Sequence, residues 1–184
     1  VGKLPYRAAD GQIVRVELAI SLTTLLVVTQ SFLSAHPDIV RPTLNKGIGY
    51  FDTGHDRGPR WYAAHFPFRR TGRLAFESSG YYLFHPGAAD RIAADLPDVR
   101  VVAMVRDPVE RAYSAHAHEL RRGFETEPFE RALELEEARL EGETERLLAD
   151  PAYESFAHRH HGYLARGRYA EQLDRYRDAL GPER

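Results

Sequence analysis

The 184-residue sequence contains no cysteine and only one methionine and one tryptophan. Without cysteine there is no disulfide, no thiolate metal site and no cysteine nucleophile, a composition that suits a reducing compartment, and a cytoplasmic location is expected. No sign of charge dominates either. The 25 Lys and Arg stand against 27 Asp and Glu, a formal net charge of −2. Nucleic acid is therefore not expected as a partner, and any anion site must be a local cluster of Arg and Lys. Long hydrophobic runs are missing too. The longest, Leu18 to Val28, falls short of the roughly 20 residues that a bilayer requires, so stable membrane insertion is not expected. Lys3, Arg7 and Arg15 ahead of that run would also fit an export signal, but Glu17 abuts it. A Gly-Lys-Ser/Thr phosphate loop is absent, which argues against a nucleotide kinase.

What is present reads as a globular α/β chain. The apolar content of 43% supports one packed core, and residues 1–184 are expected to form a single domain that stops directly after a helical pattern, like the front part of something longer. Residues 12–28 read as a strand running into a turn and helix. His36-Pro37 closes a helix end, because a residue before proline is pushed out of the helical region. Thr43 to Phe68 reads as ordered loop with short elements. Arg73 to Glu77 reads as a strand, Pro86 to Asp95 as a short helix with proline in its first turn, and Val99 to Val105 as a continuous apolar strand. Asp107, Pro108 and Gly123 then spell a capped, proline-initiated, glycine-terminated helix. Phe129 to Leu148 reads as one charged helix whose Glu134 to Glu145 stretch is a solvated face. The last helix places Tyr169, Leu173, Tyr176 and Leu180 on one side. Strands alternating with helices imply a central parallel sheet flanked by helices.

The strand-to-helix junction at Val105-Arg106-Asp107-Pro108 is the strongest chemical signal. Ligands of parallel sheets bind beyond the carboxyl ends of strands, where a helix N-terminus offers N–H groups and partial positive charge. Arg106 offers a planar, permanently charged contact for an anion and Ser114 a hydroxyl. The competing reading, that Arg106 pairs with Asp107 or Glu110, weighs the same on spacing. The histidines at 158, 160 and 161 read as a polar helix end rather than a metal site. Trp61, Tyr62, Phe66 and Phe68 read as a cleft lining or, more simply, a satellite core.

The run AMVRDPVERAYSAHAHELRRGFETEPFERAL resembles the 3′-phosphate-binding segment of the sulfotransferases that use 3′-phosphoadenosine 5′-phosphosulfate (PAPS), especially bacterial members and those related to the heparan sulfate sulfotransferases. Further similar segments follow the family's order: SFLSAHPDIV, NKGIGYFD with RWYAAHFP, ESSGYYLFHP and YLARGRYAEQLDRY. The resemblance implies the sulfotransferase variant of the P-loop NTPase-like fold. It also implies PAPS as co-substrate, no metal, and transfer of a sulfonate to a hydroxyl or amine of a small-molecule, lipid or carbohydrate acceptor. On the same ground Arg106 and Ser114 hold the 3′-phosphate, Thr23 and Thr24 belong to the 5′-phosphosulfate site, Lys46 and Glu77 act at the reacting centre, and Arg166 and Tyr169 contact the acceptor.

The departures from the family pattern are specific. Leu22 stands where the phosphate loop carries a glycine, and Ile20 where it carries Lys or Arg. Gly47 occupies the position of the heparan-type catalytic glutamate, so Glu77 is expected as the substitute base, with His55 and His65 behind it. The alternative is a catalytically inactive remnant that at most binds the nucleotide.

Overall fold

A computed structural model describes residues 15–19, 33, 35–40, 47–67 and 74–183. Four short parallel strands lie in it: β1 Arg15–Ala19, β2 Ile39–Val40, β3 Leu74–Ser78 and β4 Arg100–Met104. They form one sheet in the order β2-β3-β1-β4. β1 runs through its centre, with Glu17 opposite Ser78 on one side and Ala19 opposite Met104 on the other. The carboxyl ends of β3 and β4 therefore flank the end of β1 about 10 Å apart, two strand spacings. The parallel α/β class expected from the sequence is the one observed. The extended segment after His36-Pro37 contributes the edge strand β2, paired as Ile39 to Leu74.

The helices are α1 Gly58–Ala63, α2 Ala88–Asp95, α3 Pro108–Arg122, α4 Phe129–Leu140, α5 Glu143–Ala149, α6 Phe156–His160 and α7 Tyr169–Leu180, with 3-10 turns at His55–Arg57 and Ala165–Gly167. Among the described residues no helix is long and apolar enough to cross a membrane. α3 starts and stops as its residues dictate. Asp107 Oδ1 accepts from the amides of Val109 and Glu110 at 3.0 and 2.9 Å. At the other end Gly123, at φ 72°, lets its own N–H reach Leu120 O while Phe124 N–H reaches Glu119 O. A Cβ at Gly123 would meet nothing within 4 Å, so only backbone conformation resists a side chain there. Gly123→Ala is expected to lower the unfolding free energy by about 1 kcal/mol in urea titration.

Four local expectations are corrected. The single helix over Phe129 to Leu148 breaks at Gly142, whose φ of 72° cannot continue a right-handed helix. α2 begins after Gly87, leaving Pro86 ahead of it. In α7 the inward face uses Gln172, whose side-chain amide donates to the carbonyls of Ala165, Arg166 and Arg168, while Leu173 is 40% exposed. The Glu134 to Glu145 stretch is not simply solvated, since Glu136 and Glu143 are buried.

The main core gathers Tyr50, Phe51, Tyr62, Tyr82, Leu83, Ile92, Val99, Tyr176 and Leu180. Trp61 and Phe66 pack against it. The loop aromatics thus belong to the central core and not to a satellite. Phe68 lies outside the described residues. A core built from tyrosines needs partners for its hydroxyls. Tyr176 donates to Tyr82 O at 2.8 Å and Tyr50 to Asp95 at 3.0 Å.

Candidate functional site

The carboxyl end of β4 delivers Arg106 and α3. Asp107 occupies the first free amides of the helix, so an anion there must be held mainly by side chains. Arg106 donates to Glu110 at 2.9 Å, the bland pairing anticipated above; the two side chains are 29% and 70% exposed. An exposed i,i+4 pair contributes only about 0.3–0.5 kcal/mol and leaves other guanidinium donors free, so a phosphate dianion can displace Glu110. Ser114 is half-buried two turns along the same helix, and no hydrogen bond of its hydroxyl is found among the described residues.

A second element closes on this junction. The carboxylate of Glu136 accepts from the amides of Leu164 and Ala165 at 2.6 and 2.7 Å, fixing the turn Ala165–Gly167. A Cβ on Gly167 would stand 3.1 Å from Pro108 Cβ, so glycine lets the turn lie against the first residue of α3. This brings Arg166 and Tyr169 to the α3 end, and neither opens widely to solvent. Arg166 donates to Arg159 O at 2.7 Å, and its guanidinium sits 5.1 Å from the ring centres of both Tyr81 and Phe84. Burial pulls its pKa down to about 10, with Arg111 adding to the effect, and it stays cationic at neutral pH. Arg111 is buried, donates to Tyr163 O, and is likewise lowered by burial, with Arg106 adding to it. The Nε atoms of both arginines and the Tyr169 hydroxyl are buried without a hydrogen-bond partner among the described residues. Arg106, Arg111 and Arg166 together make the local positive cluster that the neutral composition requires.

The third element is the end of β3. Glu77 is 1% exposed, and its Oε1 accepts from Ile48 N–H at 2.9 Å and the Tyr82 hydroxyl at 2.5 Å. Burial raises its pKa, against the hydroxyls of Tyr82 and Tyr62 and the Ile48 amide, which favour the anion. The expected base therefore lies beneath the loop and not in an open cleft. Gly47 presses on the strand: a Cβ there would stand 2.6 Å from Ser78 O. Asp52 is 2% exposed, accepts from Thr53 N–H at 2.6 Å and reaches Ser79 Oγ at 3.4 Å. Sequence reading passed over Asp52, Arg111 and Glu136; the one local hint was an acid directly after two aromatics in a glycine-rich loop. Thr23, Thr24 and Lys46 lie outside the described residues.

The other candidates have structural partners. His55 Nε2 lies 3.1 Å from Asp95 Oδ2, and His65 Nδ1 lies 2.8 Å from Trp61 O. His158 Nδ1 lies 2.7 Å from the Tyr81 hydroxyl, and His161 Nε2 lies 2.9 Å from Phe124 O. His160 Nδ1 lies 3.2 Å from Glu119, a carboxylate distant in sequence.

No family profile matches the chain. Among curated proteins, heparan sulfate glucosamine 3-O-sulfotransferase 6 of mouse is 35% identical over 89 residues, 48% of this chain and 25% of its own length. The bifunctional heparan sulfate N-deacetylase/N-sulfotransferase 1 of Caenorhabditis elegans is 33% identical over 93 residues, 48% of this chain and 11% of its own. The matched stretch thus spans a quarter or less of these curated relatives. The crystal structure of a sulfotransferase from Alicyclobacillus acidocaldarius superimposes with a TM-score of 0.66 at 31% identity, over 93% of this chain and 71% of that one. On that extent of shared sequence and fold, the chain belongs to the sulfotransferase family.

Proposed function

We propose that the protein transfers a sulfonate group from PAPS to a hydroxyl or amine of an acceptor, for which the names of the curated relatives favour a carbohydrate. The acceptor oxygen or nitrogen attacks sulfur in line, the bond from sulfur to the 5′-phosphate oxygen breaks, the acceptor loses its proton, and 3′-phosphoadenosine 5′-phosphate leaves. The observation that carries this reading is the end of β4. There an arginine held by an exposed ion pair directly precedes a capped helix that carries a serine hydroxyl for which no partner is found among the described residues, beside Arg111 and Arg166, whose Nε atoms are buried. Arg106 and Ser114 hold the 3′-phosphate, and the cations behind them deepen the positive potential. By the family resemblance, Thr23 and Thr24 are assigned to the 5′-phosphosulfate and Lys46 to the reacting centre. Arg166 and Tyr169 shape the acceptor side. No metal takes part, and the protein works in the cytoplasm.

Calorimetric titration with 3′-phosphoadenosine 5′-phosphate tests this. Arg106→Ala is expected to weaken binding tenfold or more, about 1.4 kcal/mol, and adenosine 5′-phosphate, which lacks the 3′-phosphate, should be insensitive to the substitution. A second reading rests on Ile20 and Leu22 in place of the loop's basic residue and glycine: a remnant that binds nucleotide without turnover. Losing one preorganised charge-stabilising donor costs roughly 10²-fold in rate. Binding of the nucleotide with no sulfonate transfer from PAPS to any hydroxyl or amine acceptor would select it.

A further inference from the structure

We infer that Glu77 is a positioning residue, a buried peg from which the loop Gly47–Asp52 hangs across the end of β3, and that it takes no proton from the acceptor itself. One carboxylate oxygen holds two alternate amides of that loop. Ile48 N–H reaches Oε1 directly at 2.9 Å. Tyr50 N–H reaches it through Tyr82, whose hydroxyl accepts from Tyr50 at 2.9 Å and donates to Oε1 at 2.5 Å. The far end of the loop is gripped separately, by Arg91 Nη1 on the carbonyls of Phe51 and Asp52 at 3.1 and 2.6 Å. Directly before the first anchor the chain is pressed so tightly on β3 that a Cβ at Gly47 would stand 2.6 Å from Ser78 O. The same press explains why a glutamate cannot stand at position 47. An acid so buried and so fully engaged on one oxygen cannot reach an acceptor at the surface. It can set how the loop from Ile48 to Asp52 is presented at the end of β3.

The kinetic half of this inference rests on the sulfonate-transfer reading; the structural half does not. The test compares Glu77→Gln, whose amide oxygen can still accept both bonds, with Glu77→Ala, which can accept neither. Native-state amide exchange at Ile48 and Tyr50 and PAPS turnover are read on both. Glutamine should leave protection and kcat within about threefold of wild type, whereas alanine should lose tenfold or more in both while nucleotide affinity stays within about twofold. If glutamine cuts kcat as deeply as alanine with protection intact, Glu77 acts chemically and the inference falls. It falls equally if alanine leaves both amides protected. Should Glu77→Ala not fold, Tyr82→Phe removes the relay from Tyr50 to Oε1 and leaves the direct bond of Ile48, so it must deprotect the Tyr50 amide more than that of Ile48. A wild type that shows the exchange pattern but no turnover would sink the transfer reading and leave the peg standing.

Discussion

Glu125→Ala is expected to cost the fold about 3–5 kcal/mol, the range for breaking a buried ion pair and leaving its partner uncompensated. The carboxylate is 3% exposed and serves four groups. It meets Arg139 at 2.7 and 3.3 Å, accepts from the Tyr163 hydroxyl at 3.0 Å, and caps the amides of Thr126 and Glu127 at 2.9 and 3.0 Å. It thereby ties the chain after α3 to α4 and to the segment that leads into the Arg166 turn. Burial alone would raise its pKa, yet Arg139 and the hydrogen bonds outweigh it and bring the carboxyl from 4.5 down to about 2. The sign follows directly: the unfolded chain takes the proton first, so this stabilisation is whole above about pH 4.5 and is lost as pH falls toward about 2. His85 and His158 act in a higher window. Burial, with nearby arginines, lowers both from 6.5 to about 3, so the folded state holds them neutral while the unfolded chain protonates them. Wild-type stability should therefore begin to fall below about pH 6.5 and fall further below about pH 4.5. Urea unfolding of Glu125→Gln should keep the first decline and lessen the second, to which Glu119 and Glu143, also held below the ordinary carboxylate value, contribute as well. A parallel displacement of the whole curve would contradict the assignment.

The parts of this fold that were readable in the sequence are the parts fixed by neighbours in the chain. Asp107, Pro108 and Gly123 set the ends of α3 by capping, fixed φ and left-handed backbone, each acting within four residues, and the structure places all three as their chemistry demands. Arg106 and Ser114 were proposed because that junction carries them. What escaped was decided at long range. Nothing local says that Glu125 will meet Tyr163, 38 residues on, or that Glu77 will meet Ile48, 29 residues back. Gly142 was passed over because charge periodicity on either side concealed a residue whose positive φ starts a new helix. Leu173 was placed on one face with Tyr169, Tyr176 and Leu180 on hydrophobicity, but the inward position beside it is filled by Gln172, whose amide donates to the carbonyls of Ala165, Arg166 and Arg168. Hydrophobic pattern ranks apolar burial and is blind to such polar recruitment.

Glu136 puts that distinction to a measurement with opposite signs. If α4 exposed Glu136 as part of a solvated charged face, alanine, the best helix former, would be neutral or slightly stabilising there. In the structure the residue is 4% exposed, and its two oxygens separately accept the amides of Leu164 and Ala165. Hydrogen bonds to a charged group are worth about 1.5–3 kcal/mol each, so Glu136→Ala should cost about 3 kcal/mol or more in urea unfolding. Glu136→Gln keeps one accepting oxygen and should lose roughly half as much. The turn thus released carries Arg166 and presses Gly167 on Pro108, so amide exchange at Leu164 and Ala165 should rise in step with the loss of stability. The same variants should weaken 3′-phosphoadenosine 5′-phosphate only a few-fold, because the turn reaches Arg106, the anchor proposed for the nucleotide, through the packing of α3 and not by contact. Loss of nucleotide binding as deep as that of Arg106→Ala would place the turn itself on the ligand.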